Sequence, residues 1–221
     1  ARAVRETEDR IKRQVDGRTA VRAAARHDAR TPLTRLRLEP ALAPPFKRAE
    51  AMRGDMDGME HRIDEYLEFA RGETGETPQE ISIPDLLTVA AEDARRAGAE
   101  VEVVAPAALP ALVRPLAFKR AVINLAGNAA AHGEHVRLSA RALPSGGFEV
   151  AIEDDGPGIP EEMHEEAFRP FSRLDESRNQ NRKGVGLGLA IARDVARGHG
   201  GDITLERSDL GGLRALIRMP G

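Results

Sequence analysis

Residues 136–159 read VRLSARALPSGGFEVAIEDDGPGI, and this stretch decides the fold. Val136, Leu138 and Ala140 alternate with other residues, Pro144-Ser145-Gly146-Gly147 makes a turn, and Phe148, Val150 and Ile152 alternate again. Period-two patterning on both sides of a glycine turn predicts an antiparallel β-hairpin. Further on, Ile203 with Leu205 and Leu213 with Ala215 and Ile217 repeat the alternation. Helical spacing occupies Pro84 to Ala97, Leu116 to Ala131, Glu161 to Phe168 and Val185 to Arg197. Helices interleaved with antiparallel hairpins predict an α+β two-layer sandwich over residues 79–221.

Ahead of this lies a polar linker, Gly72 to Pro78 (GETGETP), and before it a charged, Arg- and Ala-rich segment. There Ala49, Met52, Met56, Met59, Ile63, Tyr66 and Ala70 advance by alternating steps of three and four, a heptad seam. Nearly all intervening residues are charged, which favours a bundle over a helix lying on a globular core. Val4, Ile11 and Val15 share one face of an earlier helix that runs through Thr31-Pro32 to about Glu39, where Pro40, Pro44 and Pro45 force a turn. Residues 18–74 thus read as a helical hairpin. Two such helices cannot close a core alone, so dimerisation into a four-helix bundle is expected.

Composition narrows the function. Of 221 residues, 41% are hydrophobic and 31% charged, enough for a core with a soluble surface. The net charge of −3 argues against a non-specific nucleic-acid binder. Without cysteine there is no disulfide framework, thiolate nucleophile or cysteine zinc site. The longest apolar run, Val103 to Val113, is broken by Pro106 and Pro110, so no membrane span is expected, and no secretory signal pattern is present. The first residue is Ala1 rather than Met, so the chain reads as a piece of a longer protein.

Four patterns carry chemistry. In His27-Asp28-Ala29-Arg30-Thr31-Pro32, a carboxylate follows the imidazole and Thr31 stacks one turn on. A carboxylate neighbour can fix the tautomer of a histidine and leave the other ring nitrogen nucleophilic. Asn124 and Asn128, at i and i+4, can present two amide oxygens to a hard cation. Asp154, followed by Asp155-Gly156-Pro157-Gly158, can accept from a purine amino group; an ordinary Asp-Gly turn is the alternative. Gly184-Val-Gly186-Leu-Gly188-Leu189 opens the expected helix Val185 to Arg197, where amides can reach phosphates. It is neither the dinucleotide fingerprint nor a P-loop.

In this order the four patterns resemble the H, N, G1 and G2 boxes of sensor histidine kinases, with Phe168-Arg-Pro-Phe171 resembling the F box. The H box is most similar to EnvZ-type osmosensor kinases, and residues 1–17 resemble the signalling helix that leaves a HAMP domain. The resemblance implies a dimerisation and phosphotransfer hairpin over 18–74 and an ATP-binding catalytic domain of the histidine kinase, gyrase and chaperone type over 79–221. It implies ATP and Mg²⁺ as cofactors and His27 as phosphoacceptor, with Asp28 orienting the ring and Thr31 aligning water for dephosphorylation. Asn128 would hold the metal with Asn124 nearby, and Asp154 would read adenine while Gly156 and Gly158 let the backbone close under it. Phe168, Phe171, Arg173, Gly184, Gly186, Leu187 and Gly188 complete the implied nucleotide set, the glycines hinging a polar lid over 169–183. Implied partners are a second copy and the receiver domain of a response regulator, with no nucleic acid and no membrane contact in this fragment. The implied location is the cytoplasmic portion of an inner-membrane sensor.

Some positions depart from the pattern. Ala29 and Arg26 flank the histidine where leucine and a small residue are usual, and Pro40 interrupts the first helix. Ala131 and His132 follow the second asparagine where a basic residue and an aromatic are usual. These changes motivate the alternative of a catalytically impaired scaffold that binds a regulator or nucleotide without efficient autophosphorylation. A gyrase-, chaperone- or repair-type ATPase is a third reading, opposed by the His27-bearing hairpin. His132 and His135 lack an evident third metal ligand, and His61, His164 and His199 read as surface.

Overall fold

Ser82 starts the first helix by accepting the backbone N–H of Asp85 on its hydroxyl at 3.4 Å, with Pro84 in the first turn. The computed structural model describes residues 76–144, 146–172 and 186–221. The signalling helix 1–17, the hairpin 18–74 and its dimerisation therefore lie outside the described residues, as do His27, Asp28, Thr31, Arg173 and Gly184.

The described chain runs β1 (Gln79–Ser82), α1 (Ile83–Arg96), β2 (Glu100–Val104), β3 (Pro110–Val113), α2 (Pro115–His132), β4 (His135–Ala142) and β5 (Phe148–Asp154). A 3₁₀ turn (Glu161–Met163), α3 (His164–Ala167), α4 (Gly188–Gly198), β6 (Asp202–Arg207) and β7 (Leu213–Met219) follow. Five strands form one sheet in the order β2-β4-β5-β7-β6, and β1 pairs with β3 in a separate ribbon. The β4–β5 hairpin joins as expected, with Ala142 opposite Phe148.

The helices bury stripes set by the 3.6-residue period. In α1 these are Ile83, Leu86, Leu87, Ala90, Ala91 and Ala94; in α2 they are Phe118, Ala121, Val122, Leu125, Ala126 and Ala129. Helix α2 packs between α1 and α4, and its Phe118 meets Phe148 of β5 edge-on at 5.8 Å. The helices thus cover the sheet face that carries Val136, Leu138, Val150, Ile152, Ile203 and Ile217. That is the helix-and-sheet sandwich predicted for this half of the chain.

The other sheet face is built from charges in register. Across one rung lie Glu102, Arg137, Glu153, Arg214 and Glu206, and across another Arg141, Glu149 and Arg218. Opposite signs alternate along both, the favourable arrangement for cross-strand neighbours. Glu149, 2% exposed, accepts from Arg141 Nε and Arg218 Nε, each at 2.7 Å. Burial opposes its ionisation, but the two arginines prevail and hold its pKa below the usual carboxylate range.

One strand pair is parallel, β2 with β4, and α2 lies in the crossover that parallel strands require. Two helix expectations need correction. Residues 161–168 fold as a 3₁₀ turn and a four-residue α3, since Pro160 and an acidic opening favour the tighter start. The last helix begins at Gly188 rather than Val185, because Gly186 lies in the left-handed region at φ +77° and cannot belong to it.

Candidate functional site

Asp154 closes β5 opposite Val136, so its side chain lies on the helix side of the sheet, 4% exposed. Its Oδ1 accepts the N–H of Gly156 at 2.9 Å and of Leu213 at 3.1 Å, and its carbonyl accepts the N–H of Gly212 at 3.1 Å. Burial raises the pKa of this carboxyl, with the Leu213 and Gly156 N–H groups pulling against it. A buried carboxyl held through one oxygen keeps its second as a candidate acceptor for an amino group.

Glycine is required beside it. A Cβ on Gly156 would stand 2.6 Å from the carbonyl oxygen of His132, at the end of α2. Gly158, at φ +71°, lies against Gly212 in the β6–β7 turn. The two glycines therefore close the turn on the protein's own backbone, gripping Asp154 between α2 and β7.

Helix α2 links this turn to the start of α4. Asn124 and Asn128 are half-buried one turn apart, and His132 follows one turn later. A Cβ on Gly188, the first residue of α4, would stand 3.7 Å from Asn124 Cβ. From Asn124 to His132 the helix rises about 12 Å. One helix thus carries two amide side chains from the α4 N-terminus toward the buried carboxyl.

The remaining candidates divide. Gly186 accepts the N–H of Phe171 at 2.9 Å, and a Cβ on it would meet Ser172 O at 2.6 Å. Phe171 is itself left-handed at φ +67°, uncommon for a bulky residue, so both partners of this junction have constrained backbones. Leu187 is fully buried at the N-terminus of α4. Phe168 packs under the guanidinium of Arg193, 4.1 Å from its ring centroid, and Arg193 is held by Glu165 and Asp202. Ala131 is exposed and brings no cation to the end of α2.

His164 and His199, read as surface, are half-buried and bonded. His164 Nε2 lies 3.0 Å from Ile159 O. His199 Nδ1 lies 2.7 Å from Val195 O while its Nε2 accepts the N–H of Arg114 at 2.9 Å. The sequence reading also missed Glu76, whose carboxylate accepts the N–H groups of Leu116 (2.7 Å) and Ala117 (3.1 Å) and caps α2 from the linker. Asp155, read only as part of a turn, binds Glu134 and His135, and its pKa is held down to about 2 by the backbone and ring N–H groups of His135.

Residues 114–221 match the family described as histidine kinase-, DNA gyrase B- and HSP90-like ATPase. The chain is 38% identical over its whole length to the sensor histidine kinase GtrS of Pseudomonas aeruginosa, covering 46% of that protein. It is 33% identical over 206 residues to the sensor histidine kinase CpxA of Escherichia coli, covering 88% of this chain and 45% of that one. It thus spans about half the length of the curated relatives it matches. The crystal structure of the ATP binding domain of PrrB from Mycobacterium tuberculosis is 35% identical, with a TM-score of 0.55 over 66% of this chain and 98% of that one.

Proposed function

The chain belongs to the sensor histidine kinases of two-component systems, and on that premise we propose that it autophosphorylates His27 from ATP and passes the phosphoryl group to an aspartate of a response-regulator receiver domain. The observation that carries the nucleotide half is Asp154, buried and fixed through Oδ1, at one end of the helix that bears Asn124 and Asn128. Family membership carries the phosphotransfer half.

In this reading Asp154 Oδ2 accepts the amino group of adenine, and the Gly156 turn keeps it in place. Asn128, with Asn124 beside it, holds Mg²⁺; amide oxygens on one half-buried helix face suit a hard cation. When bound, the metal neutralises charge on the phosphate oxygens. The N-terminus of α4 at Gly188 offers backbone N–H groups to the phosphates. His27 Nε2 attacks the γ-phosphorus, the bond to the β,γ-bridging oxygen breaks, and ADP leaves; Asp28 orients the imidazole and receives the ring proton. Thr31 aligns water for the reverse duty toward the regulator. Phe168 and Phe171 position the segment 169–183, while Arg173, Gly184, Gly186 and Leu187 shape its approach to the phosphates. The hairpin dimerises, and the fragment is the cytoplasmic portion of an inner-membrane sensor. No helix among the described residues is long and apolar enough to cross a membrane.

The test is incubation with γ-labelled Mg·ATP beside a His27→Ala variant, followed by acid and base treatment. Acid-labile, base-stable label that vanishes with His27 is the expected result. Nucleotide binding without label would overturn the kinase in favour of the scaffold, and Ala131 would be the first position to restore to a basic residue.

A further inference from the structure

Asp155 and His135 grip each other by three contacts, and Glu134 adds a fourth to Asp155. Asp155 Oδ1 accepts the backbone N–H groups of Glu134 (2.7 Å) and His135 (3.0 Å), its Oδ2 lies 2.6 Å from His135 Nδ1, and its own N–H reaches His135 O at 3.3 Å. The far ring nitrogen, Nε2, stands 3.3 Å from Glu100 Oε2 on β2. This clasp joins the α2–β4 turn to the turn that carries Asp154. Gly133 leaves the room for it, since a Cβ there would meet Asp155 Oδ1 at 2.6 Å and Asp154 Cβ at 3.0 Å. The outer side of the ring borders an open cleft of about 260 Å³ lined by Gly98, Glu100, Glu134 and His135, so protons exchange with solvent freely.

We propose that His135 is a positioning residue for nucleotide recognition, clasping Asp155 more tightly when protonated and so fixing the neighbouring Asp154, with adenine-nucleotide affinity rising as pH falls through the His135 titration. This rests on the reading of Asp154 as the group that accepts the adenine amino group.

The charges facing His135 all point the same way. Asp155 comes from the β5 turn, Glu100 from β2 and Glu134 from the α2–β4 turn, and all three favour the imidazolium, the Asp155 contact most, raising its pKa above the ordinary value. His132, at the end of α2, faces Asp154 instead, where its charge works against the rise that burial gives that carboxyl, so it needs its own control. Neutral His135 keeps its Nδ1–H bond to Asp155 but turns a lone pair toward Glu100, which loosens the β2 side of the clasp. Both side chains are partly exposed, 59% for His135 and 26% for Asp155, which keeps the effect moderate.

The experiment measures ADP affinity by calorimetry from pH 5.5 to 8.5 for the full chain, His135→Gln and His132→Gln. Taking the ratio of wild type to variant cancels the titration of the nucleotide itself. The expected result is a wild-type advantage over His135→Gln of about threefold at the acid end, the scale of an exposed ion pair, vanishing at the alkaline end. His132→Gln removes the charge that faces Asp154, and the step at the His135 midpoint should persist in that variant. Reciprocity requires ADP to raise the His135 midpoint by about 0.5, readable from its ring resonances without any variant. A ratio flat in pH, with a midpoint that ADP does not move, overturns the proposal while leaving the Asp154 reading intact. No binding by wild type at any pH overturns both.

Discussion

Asp154→Asn separates what the carboxyl does for the fold from what it does for the ligand. The Gly156 and Leu213 N–H groups both point at Oδ1. An asparagine must therefore place its amide oxygen there and its NH₂ where Oδ2 stood. The fold keeps both bonds, whereas the position that faces a ligand changes from acceptor to donor. Stability should not suffer. A carboxyl whose native pKa is raised by burial binds its proton more readily folded than unfolded. Its contribution to stability is thus lost as pH rises from the ordinary carboxylate value through the native one, and a neutral amide escapes that loss. At neutral pH the variant should melt at or slightly above the wild-type temperature. Binding should weaken by the worth of a hydrogen bond to a charged acceptor, about 1.5–3 kcal/mol, or about 10- to 150-fold in the Kd for ADP. The preference over inosine diphosphate, which offers a carbonyl where adenine has its amino group, should collapse or reverse. Calorimetry with both nucleotides and a melting curve suffice. ADP affinity within twofold of wild type would refute the role given to Oδ2, and a large drop in melting temperature would make Asp154 a structural residue.

The charge ladder gives an asymmetric prediction: Glu149→Met should change the unfolding free energy from urea titration by no more than about 1 kcal/mol, because Arg141 and Arg218 can return to water. Arg141→Ala with Arg218→Ala strands a buried anion and should cost about 3–5 kcal/mol; hydrogen-exchange protection of β5 amides reports both. Gly156→Ala puts a methyl group 2.6 Å from the His132 carbonyl and should destabilise by about 1–3 kcal/mol while weakening ADP binding. Asp155 is an ordinary carboxylate when unfolded and sits at about 2 when folded, so its contribution is whole above about pH 4 and is lost as pH falls toward 2. Asp155→Asn should therefore flatten the acid limb of the stability profile between those values, and an unchanged limb would refute the assignment.

What was legible in the sequence is what is decided locally. Ser82-Ile83-Pro84-Asp85 holds a cap and a helix start within four residues, and the α1 stripe follows by spacing alone. The β4–β5 hairpin was legible because its turn and both alternations are contiguous. Strand β2 was not, although Glu100 to Val103 alternates, since its partner β4 lies across the whole of α2. Alternation also gave only half the truth about β5. Glu149 and Glu153, which stand between the alternating apolar residues, are buried as well, with arginines of the flanking strands β4 and β7 opposite them.

The same division runs through the site. Asp154, Asn124 and Asn128 were marked as candidates by residue type and short spacing. The groups that hold them in place were not, because their partners come from distant sequence: the Leu213 N–H is 59 residues from the carboxyl it fixes. Glu76 is 40 residues from the N-terminus it caps. Asp155 sits beside a recognised residue and still passed as turn chemistry, since only the fold brings the start of β4 against it. A residue that offers chemistry to a ligand must carry that chemistry in its own side chain, which a sequence displays. Orientation can come from any backbone N–H or carboxylate that the fold brings near, and so the second group becomes visible only in three dimensions.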